Sequence, residues 1–178
     1  SFANTFNTSY LTYQGGMSGL TIGHSSNTGG VTVGSATTIA GPVTVYGGAL
    51  AINASLTSTD TISLKGTTIT DGASGYITAD KLALLSGAVT LDNPSNSINT
   101  LAASGVGAMT YVNAGALTIG TVNPTGITAT GDVRIETLMG DLTIAQNVTT
   151  MSTTANAVLL NAGKSTAAGT ATGGNIII

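Results

Sequence analysis

Along this chain aliphatic residues alternate with small polar ones in short runs, and each run is closed by glycine, asparagine, aspartate or proline. Leu20-Thr21-Ile22, Val31-Thr32-Val33, Val43-Thr44-Val45, Leu50-Ala51-Ile52 and Ile62-Ser63-Leu64 follow one another in this way, then Ile69 and Ile77. A period of two predicts strands with two aliphatics on one face and a threonine or other small residue on the opposite face. No segment carries a helical period with caps. Asp80 to Leu85 comes closest, and its match to Val133-Arg134-Ile135 favours a strand there too.

The runs recur. Gly48-Ala49-Leu50-Ala51-Ile52, Gly87-Ala88-Val89-Thr90-Leu91, Gly115-Ala116-Leu117-Thr118-Ile119 and Gly140-Asp141-Leu142-Thr143-Ile144 share one pattern, and the last three copies are 28 and 25 residues apart. In the second half, paired phrases recur in order: Leu82-Ala83-Leu84 with Val89-Thr90-Leu91, Met109-Thr110-Tyr111 with Leu117-Thr118-Ile119, and Val133-Arg134-Ile135 with Leu142-Thr143-Ile144. Each pair is followed by a third aliphatic position, at Ile98, Ile127 and Val148, and Ile77-Thr78-Ala79 is echoed by Ile127-Thr128-Ala129. Short strands at such a period predict an all-β parallel β-helix, or β-solenoid, of about seven coils with three short strands per coil. Each strand then pairs with its equivalent one coil above and below. On this alignment Thr90, Thr118 and Thr143 stack outward, and Ile119 and Ile144 face inward.

Composition supports a thin interior. Charged residues are 6% and aromatics 4%, with no Trp or Cys, so the core must be lined by Val, Ile, Leu and Ala. A chain this rich in Gly, Ser and Thr invites a disordered reading, but the mean hydropathy of +0.38 and the regular alternation oppose it. Four basic residues and a net charge of −3 leave nothing to neutralise a phosphate backbone, which excludes nucleic acid as a partner. No apolar run is long enough to span a membrane. The first residue is Ser1, as expected of a processed product or a piece of something longer.

These phrases, with Gly131-Asp132-Val133-Arg134-Ile135, Gly140-Asp141-Leu142-Thr143-Ile144-Ala145, and the tail from Leu159-Leu160-Asn161-Ala162-Gly163-Lys164 to Gly173-Gly174-Asn175-Ile176-Ile177-Ile178, resemble the repeat region of filamentous haemagglutinin-like exoproteins exported by two-partner secretion. The resemblance covers the chain from about Gly41 onward. It implies a right-handed parallel β-helix, an extracellular or bacterial cell-surface location, and work in adhesion, biofilm or fibre formation. It also implies no catalytic residue, cofactor or metal. The handedness rests on the resemblance alone.

Candidate chemistry is sparse. Asp132, Arg134 and Glu136 alternate with the inward Val133 and Ile135, and so predict a self-satisfied surface ion triplet. A polysaccharide-active β-helix enzyme would need more acids and bases than this chain has to spare. His24 is the only histidine and is expected in an exposed loop, and no spacing suggests a metal site. An ice-binding threonine array is disfavoured, because Ala51 interrupts one predicted ladder and Ala83, Thr110 and Arg134 make up its neighbour.

The ends are more informative. Residues 1–14 hold Phe2, Phe6, Tyr10 and Tyr13 and read as an aromatic arm or cap, ahead of a solenoid over 15–178. The sequence closes in mid-strand pattern on Ile176, Ile177 and Ile178, with no cap. Phe2, Phe6, Tyr10, Tyr13, Ile176, Ile177 and Ile178 are therefore the expected assembly contacts, for self-association into a filament by end-to-end stacking. The alternative is a monomeric rod segment of a giant adhesin. A host or environmental surface, or a glycan, is the expected external partner.

Overall fold

A computed structural model describes residues 5–12, 16–164 and 173–178. Phe2 and Tyr13 lie outside these residues. Apart from one 3-10 turn at Thr8–Tyr10, every element among the described residues is a β-strand, and every pairing between named strands is parallel. The chain winds about six turns into a β-solenoid.

The longest stack of strands shows how the windings sit on one another. Phe6–Asn7, Val31–Val33, Ala49–Ile52, Thr68–Asp71, the end of Ile77–Leu91, the end of Ser97–Asn113, Val133–Thr137 and Val158–Asn161 pair successively, each with the next. Inward residues Val31, Leu50, Ile69, Val89, Met109, Val133 and Val158 stack in one column, at intervals of 19, 19, 20, 20, 24 and 25 residues. A second face stacks Leu20–Ile22, Val43–Tyr46, Thr61–Lys65 and the middle of the two long strands. A third stacks Thr37–Ile39 on Leu56–Ser58 and on the start of Ile77–Leu91. The two long strands, of 15 and 17 residues, run through all three faces and bend at the corners, where Gly87 and Gly105 have positive φ.

Beyond Ser97–Asn113 the windings lengthen, and in the first of the longer ones the chain makes an excursion at Gly120–Gly126. There Thr121 and Thr125 form an antiparallel bridge and Gly126 N–H donates to Gly120 O. The faces are re-divided at this point: Thr100 and Leu101 lie under Leu117–Ile119, whereas Ala103 lies under Ile127–Ala129.

This register corrects the alignment read from the phrases. Gly115-Ala116-Leu117 and Gly140-Asp141-Leu142 are indeed one winding apart, with Leu117 on Leu142. Gly87-Ala88-Val89 belongs to a different face, where Val89 stacks on Ile69 and under Met109. Likewise Leu82-Ala83-Leu84 pairs with Ile62-Ser63-Leu64 and Leu101-Ala102-Ala103, not with Met109-Thr110-Tyr111. Ile77 and Ile127 also occupy different stacks. Thr90 consequently stacks with Thr70 and Thr110, while Thr118 stacks with Thr100 and Thr143. The physical reason is that any half-buried strand favours an aliphatic–Thr–aliphatic triplet, so the triplet marks a strand without marking its face.

The interior is a single narrow cluster of aliphatics from Ile22 to Leu142, in which Ile119 is fully buried and Ile144 packs partly exposed at its edge. Small polar residues interrupt the inward columns where buried Thr37 stacks with Leu56 and buried Ser58 with Ile39. Two larger interruptions follow: Tyr111 is fully buried, and Asp71 pairs with Ile52. Polar groups at the adjoining corner accommodate both. Asp71 accepts from the backbone N–H of Asp92 and Asn93 and from Asn96 Nδ2, while Tyr111 OH donates to Asn113 Oδ1 at 3.1 Å.

Candidate functional site

Three surfaces bear on function: the two ends of the stack and one lateral groove. At the first end, Phe6–Asn7 lies against Val31 and Thr32 of its own chain, with Phe6 N–H donating to Gly30 O at 2.9 Å. The Asn7 side chain accepts from Ser9 N–H, and buried Thr8 accepts from Gly34 N–H, which fixes the turn that follows. Phe6 packs against the core, and Tyr10 projects into solvent at 83% exposure. The described part of the aromatic segment therefore covers the first edge of its own longest face.

At the other end, Ile176–Ile177 pairs only with Leu142–Ile144 among the described residues, Val158–Asn161 only with Val133–Thr137, and Val148–Thr150 only with Ile127–Ala129. Their outer edges present a row of backbone N–H and C=O groups. Exposed aliphatic side chains accompany them: Val158, Leu159, Ile176, Ile177 and Ile178. The sequence pointed to the last three. It missed Val158 and Leu159, because only the register reveals that they share the final winding. The expected contacts thus fall at opposite ends, with Phe6 and Tyr10 at one and Ile176 to Ile178 at the other.

The lateral groove lies on the outer side of the longest face. Arg134 and Glu136 pair as expected, with Nε and Nη2 both on Glu136 Oε1, at 3.1 and 2.8 Å. The third partner is Lys164, not Asp132: Lys164 Nζ reaches Glu136 Oε2 at 2.8 Å. Asp132 instead accepts from the Ser152 and Thr154 hydroxyls, which hold its pKa below the ordinary value. Lys164 was invisible to strand alternation, since it joins from the next winding, 28 residues on. It is held there by Gly163 N–H donating to Thr137 Oγ1 and by its own N–H donating to Thr137 O. The Glu136 side chain is 3% exposed. Burial pushes its pKa up, but hydrogen bonds from Lys164 and Arg134, and their charges, outweigh that and leave it below the usual carboxylate value.

A cleft of about 270 Å³ opens beside this triplet, with Asp92, Val112 and Leu138 among its walls. A second hollow, of about 380 Å³, lies on the other side of Arg134 and is bounded by Asp132 and Leu159. Thr110 and Arg134 line both, so the two hollows lie side by side along one lateral groove on either side of Arg134. His24 is exposed in a turn and contacts Ser26, as its loop position suggested. Among the described residues no group of three His, Cys, Asp or Glu side chains is placed to hold a metal ion, and no helix is long and apolar enough to cross a membrane.

Fold and surfaces together define a parallel β-solenoid with a charged lateral groove and, among the described residues, strand edges paired on one side only. No protein-family model, curated protein or solved structure matches the chain.

Proposed function

We propose that the chain is a structural and adhesive rod of the bacterial cell surface, exported from the cell, non-catalytic, and part of a fibre built by end-to-end stacking of solenoids. The observation that carries this reading is the last described winding. Among the described residues three strands there pair on one side only, beside five exposed aliphatic side chains. Unpaired parallel edges with an apolar lip are templates for a further parallel strand. Stacking one copy on the next is a heterologous contact that does not close, so it propagates into a filament. The resemblance of the repeats to filamentous haemagglutinin-like exoproteins supports the location and the adhesive role. A non-catalytic role is supported by the ion triplet, in which cations engage both oxygens of Glu136.

The test is light scattering with electron microscopy of the purified chain. Filaments of constant width are expected, and Ile177→Lys together with Leu159→Lys should abolish them while leaving the circular dichroism unchanged. A chain that stays monomeric at every concentration refutes stacking and favours the second reading, a rod segment of a giant adhesin.

A further inference from the structure

Of four basic and seven acidic residues in the whole chain, Arg134, Lys164, Asp92, Asp132 and Glu136 all border the lateral groove. That concentration has a cost. A carboxylate buried between two cations loses hydration that its ion pairs only partly restore, and aliphatic residues would hold the sheet as well. A carboxylate that is costly to bury invites a role beyond holding the sheet.

The geometry leaves the cations with capacity to spare. Glu136 engages the Nε–Nη2 edge of Arg134 through one oxygen. The Nη1–Nη2 edge, a planar fork that matches a carboxylate, is not used by that contact. Lys164 donates one of its three ammonium protons to Glu136. Two cations held by one shared anion leave the triplet itself positive, with Asp92 on the cleft wall opposing it, and the triplet is already immobilised, so a ligand need not order it. Beside it stand Val112, which is almost covered although it sits at an outward position, and Leu138.

We propose that this groove docks a protein partner through a single Asp or Glu carboxylate flanked by an aliphatic side chain. The carboxylate takes the Nη1–Nη2 edge of Arg134 and a proton of Lys164, and the aliphatic group packs at the half-buried Leu138 beside Val112. The flanking acids set the specificity. Asp92, one residue beyond the pairing of Leu91 with Tyr111, lines the same cleft as Glu136, and Asp132 borders the other hollow. One carboxylate is tolerated there, whereas a polymer charged at every unit meets repulsion on both sides. This is why an acidic peptide segment is favoured over a polyanionic glycan. The inference adds a partner to the adhesive reading but uses a different surface from the stacking ends.

The test is titration of the isotopically labelled full chain with acetyl-Leu-Glu-Leu-amide, following the methyl signals of Val112 and Leu138. Saturable shifts are expected. Binding at least about tenfold weaker is expected for acetyl-Leu-Gln-Leu-amide, and a similar loss for Arg134→Lys, which keeps the charge but removes the fork. No saturable shift, or equal binding of the glutamine peptide, overturns the proposal. Tighter binding of an oligogalacturonate than of the peptide also overturns it, and reassigns the groove to an acidic polysaccharide. None of these results depends on whether the chain forms filaments, so each can fail without the other.

Discussion

Removing the amide of Asn113 gives the sharpest test of how the corners are held. Its side chain is buried and joins two windings: Nδ2 donates to the carbonyls of Ile98, Gly115 and Ala116 at 3.0 to 3.1 Å, and Oδ1 accepts from Ile98 N–H and Tyr111 OH. Asn113→Ala orphans the Ile98 N–H, the Ile98 carbonyl contact and the Tyr111 hydroxyl, all in buried positions. Gly115 and Ala116 are closer to solvent and can turn to water. Each buried polar group left unpaired costs about 1–3 kcal/mol, and a water entering the vacated space restores part of that. The expected loss is therefore about 3–4 kcal/mol. Thr110→Ala, three residues earlier on the outer side of the same strand, should stay within about 0.5 kcal/mol. Urea denaturation followed by circular dichroism reads both, and hydrogen exchange at the Ile98 amide locates the damage. An Asn113→Ala loss below about 1 kcal/mol would refute the view that this side chain ties the windings together.

Ile119→Asp should prevent folding or cost more than about 4 kcal/mol, whereas Thr118→Lys should be nearly neutral, and thermal melts of the two separate inward from outward positions. Gly75→Ala should unfold its corner, since a Cβ there collides with the Ile52 carbonyl, while Gly105→Ala, in open space at φ +65°, should cost only about 1 kcal/mol in the same melts. Two acids should oppose each other in pH titration. Glu136 has a lowered pKa in the fold, so the stability it adds is present above its unfolded pKa and is lost as the pH falls through the folded value. Asp71 is raised, chiefly by burial, despite hydrogen bonds from Asn96, Asn93 and Asp92, so its contribution runs the other way and weakens as the pH rises through its folded value. Stability curves should therefore lose acid sensitivity in Glu136→Gln and gain it in Asp71→Asn, and an unchanged curve in either variant would contradict that assignment.

Alternation of Val, Ile and Leu with Thr and Ala, punctuated by Gly and Asn, by itself determined that this chain forms short strands stacked in parallel windings around a thin aliphatic interior. It did so because strand facing is a local property with a period of two. It also determined which residues of the ion triplet share an outer face, since Arg134 and Glu136 are two apart on one strand. Only the tertiary structure decided which strand lies on which. Thr90 meets Thr110 and not Thr118 because register follows the lengths of the turns between strands, which change from about 20 to about 25 residues per winding past Ser97–Asn113. The same non-local geometry brought Lys164 onto Glu136, placed Val158 and Leu159 in the exposed final winding, and set Asp71 in an aliphatic column beside the asparagines that satisfy it. Contacts between windings join residues some twenty positions apart, and no local pattern encodes their pairing.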